Sequence, residues 1–124
     1  MKVKNVVIEV RSLKSALHKF AEVYGKLKRG EAVIPKSGIG FETVESFRNV
    51  MTDKRLELLK AIKEKSPGSI YELAGIVDRD LKSVNEDLKI LKNMGLVSLK
   101  RSNERRVRVK PTVDFDRLDL QIAI

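Results

Sequence analysis

The chain has 124 residues, 42% apolar and 35% charged, a balance suited to one compact domain or a small domain with a short companion. It has no cysteine and one histidine, His18; this excludes disulfides, thiol nucleophiles and cysteine-bound metal, and argues against histidine triads. Twenty-six basic residues against 17 acidic ones give a formal charge of +9, which favours nucleic acid as a partner before an acidic membrane surface or an acidic protein.

Residues 3–10 are β-branched and partly alternating, and they predict a strand. Ser12 can cap a helix running to about Arg29. On it Leu13, Leu17, Phe20, Tyr24 and Leu27 recur at spacings of four, three, four and three, forming one apolar stripe. His18 lies beside this stripe and reads as a surface or boundary residue. Gly30 closes the helix. Residues 31–40 hold Pro35, Gly38 and Gly40 and read as a loop or linker. Phe41, Val44, Phe47, Val50 and Met51 then make a short amphipathic piece, expected to be helical.

From Thr52 the pattern is denser. Thr52 is a good N-cap, and Leu56, Leu59 and Ile62 mark a helix ending near Lys65. Ser66-Pro67-Gly68 breaks it. Ser69 and Glu72 form a capping box for a short helix whose buried face is Ile70, Leu73, Ala74 and Val77. Asp78-Arg79-Asp80 makes a tight turn, with Asp80 capping a third helix that carries Leu81, Val84, Leu88 and Leu91 inward and ends at Met94-Gly95. The period then changes to two. Val97 and Leu99, then Val107 and Val109, alternate with polar residues around a turn at Ser102-Asn103-Glu104. This predicts a β-hairpin stopped at Pro111. Leu118, Leu120, Ile122 and Ile124 alternate in a final strand.

Helix, short helix, tight turn, longer helix and hairpin, in that order, predict an α+β winged helix-turn-helix over residues 41–124: a three-helix core with a β-hairpin wing. Residues 1–40 form a strand-helix extension that is either a dimerisation element or a completion of the monomer core, and the C-terminal strand can pair with residues 3–10 within one chain or across two.

The third helix, about residues 80–94, offers Lys82, Ser83, Asn85, Glu86 and Lys89 away from its apolar side, and Arg79 in the turn before it is a further candidate DNA contact. Such a helix can bury one face and lay the other in a major groove. Asn85 can pair bidentately with adenine, and Lys82 and Lys89 can reach phosphate or guanine. The hairpin, about residues 97–110, is the most skewed segment. Between 100 and 110 it carries Lys100, Arg101, Arg105, Arg106, Arg108 and Lys110 against one acid, Glu104, with Asn103 at the turn. It is suited to phosphates or a minor groove; the bland alternative is a sheet edge protected by charge. Asp87 is unsuited to base reading, because a carboxylate repels phosphate, and is expected to pair with Arg55 or Arg79.

The segments from Thr52 through Leu56-x-Leu58-Leu59, Ser69-x-x-x-Leu73-Ala74 and Arg79-Asp80-x-x-x-Val84-x-x-Asp87-Leu88-x-x-Leu91-x-x-x-Gly95-Leu96-Val97 resemble archaeal predicted transcriptional regulators of the winged-helix, MarR/ArsR-like group. The resemblance covers residues 41–124; over 1–40 it is one of outline only. It implies sequence-specific binding of double-stranded DNA and transcriptional regulation. Some relatives look like the regulatory partner in toxin–antitoxin-like pairs. One departure is Asp78, which stands where the family motif usually has glycine; aspartate tolerates the left-handed backbone such a turn needs.

The resulting expectation is a DNA-binding regulator acting as a homodimer on palindromic sites. The alternative is a winged-helix module whose partner is a protein, such as a toxin. Single-stranded nucleic acid is disfavoured because residues 96–111 hold no aromatic residue for base stacking. No enzyme activity and no cofactor are expected: there is no phosphate-cradling glycine loop, and Asp114 and Asp116 read as surface charge. No apolar run approaches the roughly 20 residues of a membrane span. The stretch after Met1 also lacks the apolar core of a signal peptide, so a cytoplasmic location without a membrane partner is expected.

Overall fold

The computed structural model describes residues 4–30, 38–103 and 106–124. Among them the order is β1 (Asn5–Val10), α1 (Leu13–Lys28), β2 (Ile39–Phe41), α2 (Val44–Val50), α3 (Asp53–Lys65), α4 (Ile70–Ile76), α5 (Leu81–Asn93), β3 (Ser98–Arg101), β4 (Val109–Thr112) and β5 (Arg117–Ile122). The class is α+β. Val3, Pro35, Glu104 and Arg105, which entered the sequence reading, lie outside the described residues.

The chain divides into two compact units, Met1–Asn49 with Arg117–Ile124 and Val50–Asp116. A boundary at residue 40 is therefore not where its contacts part. The reason is strand pairing. β5 joins β1 in parallel over six residues, from Asn5↔Arg117 to Val10↔Ile122, which returns the C-terminal strand to the N-terminal one within a single chain.

The first unit is a three-stranded parallel sheet in the order β2-β1-β5. Its register places Val6, Ile8 and Val10 beside Leu118, Leu120 and Ile122 on one face. Ile8 and Val10 are buried, whereas Leu120 and Ile122 are about half exposed. On the other face Asn5 Nδ2 donates to Asp119 Oδ2. Of β2, Ile39 and Gly40 were expected to be loop and Phe41 to open a helix, but all three form a strand and the helix starts only at Val44. Three residues beside glycines carry almost no strand signal, and the ladder from β1 supplies the pairing that propensity does not. Gly38 permits this approach, since a Cβ there would come within 2.8 Å of the Val7 carbonyl oxygen. Ser12 caps α1 by accepting from the Ser15 N–H, and Gly30, at φ 76°, ends it. Thr43 caps α2 through the Ser46 N–H at 3.0 Å, and Phe41 meets Phe47 edge-on with ring centroids 5.5 Å apart.

The second unit contains α3, α4, α5 and the antiparallel β3–β4 ribbon. Its core is Leu58, Leu59 and Ile62 from α3, Leu73 and Ala74 from α4, and Val84, Leu88 and Leu91 from α5, with Met51, Leu96, Val97 and Phe115. Ionic and polar caps fix where each helix starts. Thr52 accepts from the Arg55 N–H, Ser69 from the Glu72 N–H, and Asp80 from the Ser83 N–H. The return arm of the Ser69/Glu72 box closes one residue early: Glu72 Oε2 accepts from the Gly68 N–H at 2.8 Å. Asp78 takes the left-handed conformation at φ 53°, as its place in the turn requires, and Gly95 does so after α5 at φ 79°.

Three expectations need correction. Leu81 begins α5 with its side chain 43% exposed, because the first turn of that helix projects beyond the core that Val84, Leu88 and Leu91 fill. Val107 lies outside β4 and is 61% exposed, so the hairpin pairs later than the alternation suggested. Pro111 does not stop the strand: it sits inside β4, opposite Leu99, fully buried. A two-stranded ribbon leaves one side of β4 without a ladder partner, and there a missing N–H costs nothing.

Candidate nucleic-acid interface

The outer side of α5 is set by its inner side. With Val84, Leu88 and Leu91 buried, the 3.6-residue period turns Lys82, Glu86 and Lys89 to the exterior, and all three are exposed. Ser83 and Asn85 flank that row and are half-buried. Five of the six candidate residues on this segment thus lie on or beside one face. The Asp80 carboxylate holds the start of the helix through the Ser83 N–H at 2.9 Å. That backbone hydrogen bond, reinforced by the Ser83 hydroxyl, keeps its pKa below the ordinary aspartate value.

Arg79 is the exception. Its Nη2 donates to Asp87 Oδ2 at 2.7 Å, while Asp87 Oδ1 accepts from Arg55 Nε at 3.1 Å. The side chains of Arg55, Arg79 and Asp87 are 16%, 16% and 15% exposed. Arg55 also donates from Nη1 to the Val50 carbonyl at 2.6 Å. Asp87 therefore ties α3 and the turn before α5 to α5 itself, with both arginines on one carboxylate. Arg79 Nη1 is buried without a hydrogen-bond partner. An arginine so held sets the pose of α5 and does not present its guanidinium to a ligand.

The ribbon carries the other group. Arg101, Asn103, Arg106 and Arg108 are exposed, as are Lys100 and Lys110. Its tip is closed from within: the Ser102 N–H donates to the Arg108 carbonyl at 2.8 Å, and the Arg108 N–H donates to Ser102 Oγ at 2.9 Å. The cross-strand register sets Lys100 directly opposite Lys110. Like charges in that relation destabilise a ribbon, and no acidic side chain among the described residues offsets this pair. Elsewhere in the unit such compensation does occur; Lys63 meets Asp116 at 3.2 Å.

Sequence reasoning missed Tyr71, which stands 80% exposed on α4. The helical phase already left it off the buried face of Ile70, Leu73, Ala74 and Val77, but gave it no role. Lys100 and Lys110 were legible as charge but not as a facing pair, because register is a property of two strands.

The second unit thus defines a class: a three-helix core with a basic two-stranded ribbon and a polar outer helix face. Residues 50–120, more than half of the chain and all of that unit, match the protein family described as HVO_A0114, and the chain belongs to that family. No curated protein and no solved structure matches the chain. None of the described helices is long and apolar enough to cross a membrane.

Proposed function

We propose that this protein is a sequence-specific double-stranded DNA-binding transcriptional regulator of the winged helix-turn-helix kind, acting as a dimer in the cytoplasm. In this reading α3, α4 and α5 are the three-helix core. α5 lies in the major groove with Lys82, Asn85, Glu86 and Lys89 toward base edges and phosphates. The β3–β4 wing places Arg101, Asn103, Arg106 and Arg108 on the backbone or in the minor groove. Arg79 serves the reading indirectly, through its hold on Asp87.

One observation carries the proposal: the Lys100↔Lys110 pair, met by no acidic side chain among the described residues, on a ribbon that also exposes Arg101, Arg106 and Arg108. Lysines can protect a sheet edge, but set face to face they repel each other, and phosphates neutralise such a pair on contact. The resemblance of residues 41–124 to winged-helix regulators points the same way.

The test is binding to a duplex from the protein's own upstream region, titrated with salt against a scrambled duplex. Tight binding that resists the scrambled competitor supports the reading. Weak binding that both duplexes lose equally as salt rises rejects sequence readout, and the protein-partner alternative then takes its place.

A further inference from the structure

Three carboxylates lie between Arg79 and Asn93: Asp80, Glu86 and Asp87. Two are committed to the fold. Asp80 caps α5 through the Ser83 N–H, and Asp87 holds Arg55 and Arg79. Glu86 is not. Its side chain is exposed and makes no ion pair or hydrogen bond with a described residue. Lys82 stands four residues before it and Lys89 three after, yet neither pairs with it. A lysine one helical turn before a glutamate is the weaker order for such a pair.

Glu86 is also central. Val84, Leu88 and Leu91 face the core, and Lys82, Glu86 and Lys89, spaced four and three, run along the opposite side. At about 1.5 Å per residue the row is about 10 Å long, which spans roughly three base-pair steps. In the proposed reading this row meets the floor of the major groove. The repulsion that disqualifies Asp87 from base reading acts on Glu86 as well, unless its carboxylate finds a donor there.

The four bases differ in what they offer it. An ionised carboxylate only accepts. Guanine presents N7 and O6, and thymine presents O4 and a methyl group, so neither offers a donor in the major groove. Adenine offers N6–H but sets its N7 acceptor beside it, against the second carboxylate oxygen. Cytosine offers N4–H with no acceptor of its own at that edge. Glu86 is therefore matched by one base and opposed by three, which is selection by exclusion. The flanking lysines only donate and suit the acceptors of guanine.

We infer that Glu86 is a specificity-determining residue of α5, accepting from the N4 amino group of a cytosine at one fixed position, with Lys82 and Lys89 on guanines of the adjoining base pairs. The preferred duplex then carries a G·C-rich stretch of about three base pairs. This inference rests on the proposed DNA-reading function and names the base that the centre of the helix selects.

The experiment is selection by the full chain from a pool of duplexes with a randomised core, repeated with Glu86→Gln and Glu86→Ala. Because Glu86 is exposed, both variants are expected to fold as the wild type does, which a thermal melt checks. The wild type is expected to return cytosine at one position within a G·C-rich stretch. Glu86→Gln is expected to return adenine there, because an amide accepts from N6–H and donates to N7, with the other positions kept. Between duplexes that differ only at that base pair, its preference for adenine over cytosine is expected to reach roughly tenfold. Glu86→Ala is expected to lose the discrimination at that position and to bind a scrambled duplex more tightly, because a repelling charge has gone. If both variants return the wild-type sequence unchanged, whatever their affinity, the carboxylate reads no base; this inference is then overturned and the proposed function stands. If the wild type returns no common sequence, the DNA-reading function is overturned and the inference falls with it.

Discussion

Arg79 and Asp87 stand eight residues apart and meet at 2.7 Å, with side chains only 16% and 15% exposed. Arg55 reaches the same carboxylate from α3 at 3.1 Å. The two substitutions that break this cluster are unequal. Asp87→Ala strands two guanidinium groups in a largely dry site and is expected to cost about 3–5 kcal/mol. Arg79→Ala leaves Asp87 paired with Arg55 and is expected to cost about 1–3 kcal/mol. Urea unfolding of both variants checks the order; equal losses would mean that Arg55 alone does not hold the carboxylate.

That cluster also shows how far the sequence could be read. Opposite charges at 55, 79 and 87 on segments that pack together made a pairing foreseeable. That both arginines share the one carboxylate was not, since it depends on how α3 and the turn before α5 converge. The helices of residues 53–93 were legible because caps and apolar periods agree: Thr52, Ser69 and Asp80 each accept the bond expected of an N-cap. β2 was not legible, because three residues among glycines form a strand only when β1 offers a ladder. The sequence left open whether the apolar stripe of α1 completes its own chain's core or faces outward; Leu13, Leu17, Phe20 and Tyr24 are exposed. Amphipathic spacing says that a helix has an apolar face, not whether that face meets its own chain. Of the interface, residue types and helix phase could be read; the hold of Asp87 on Arg79 and the facing of Lys100 and Lys110 arise only where separate segments converge.

Asp80 makes the start of α5 sensitive to acid. Its pKa is lowered in the folded protein, first by the Ser83 N–H. A depressed carboxylate contributes stability that is complete above its unfolded value of about 3.9 and is lost as pH falls through the lower folded value. The difference in melting temperature between wild type and Asp80→Asn is therefore expected to be constant from about pH 7 down to about pH 5 and to shrink below about pH 4. A difference that grows on acidification would contradict the cap.

On α5 the proposed base readers differ from the phosphate readers in what their loss should do. Replacing Asn85 or Lys82 with alanine is expected to change the preference between duplex sequences by roughly 1–3 kcal/mol if a base contact goes with it. Competition binding with single-base variants of the preferred duplex reads this out. An equal weakening on every sequence would assign both side chains to the backbone. Asn85 is the more demanding case, since its half-buried position gives it less reach than Lys82.

The wing should behave as charge without letter. Alanine at Arg106 and Arg108, together with Arg105, is expected to weaken all duplexes alike and to flatten the salt dependence of binding by up to about three units. An unchanged slope would remove the wing from the interface.

Lys100 and Lys110 allow function to be separated from fold in one substitution. They face each other across β3 and β4, so Lys100→Glu turns a repulsive pair into an attractive one. The ribbon is expected to gain about 0.2–1 kcal/mol, read as a higher midpoint in denaturant. Duplex binding is expected to fall, because two units of positive charge leave the surface that meets phosphate. A fold stabilised while binding is lost is what a charge kept for a ligand should show. If the variant were more stable and bound duplex as well as before, the lysine pair would have no part in DNA contact, and the wing's cations would be serving only to keep an exposed edge in solution.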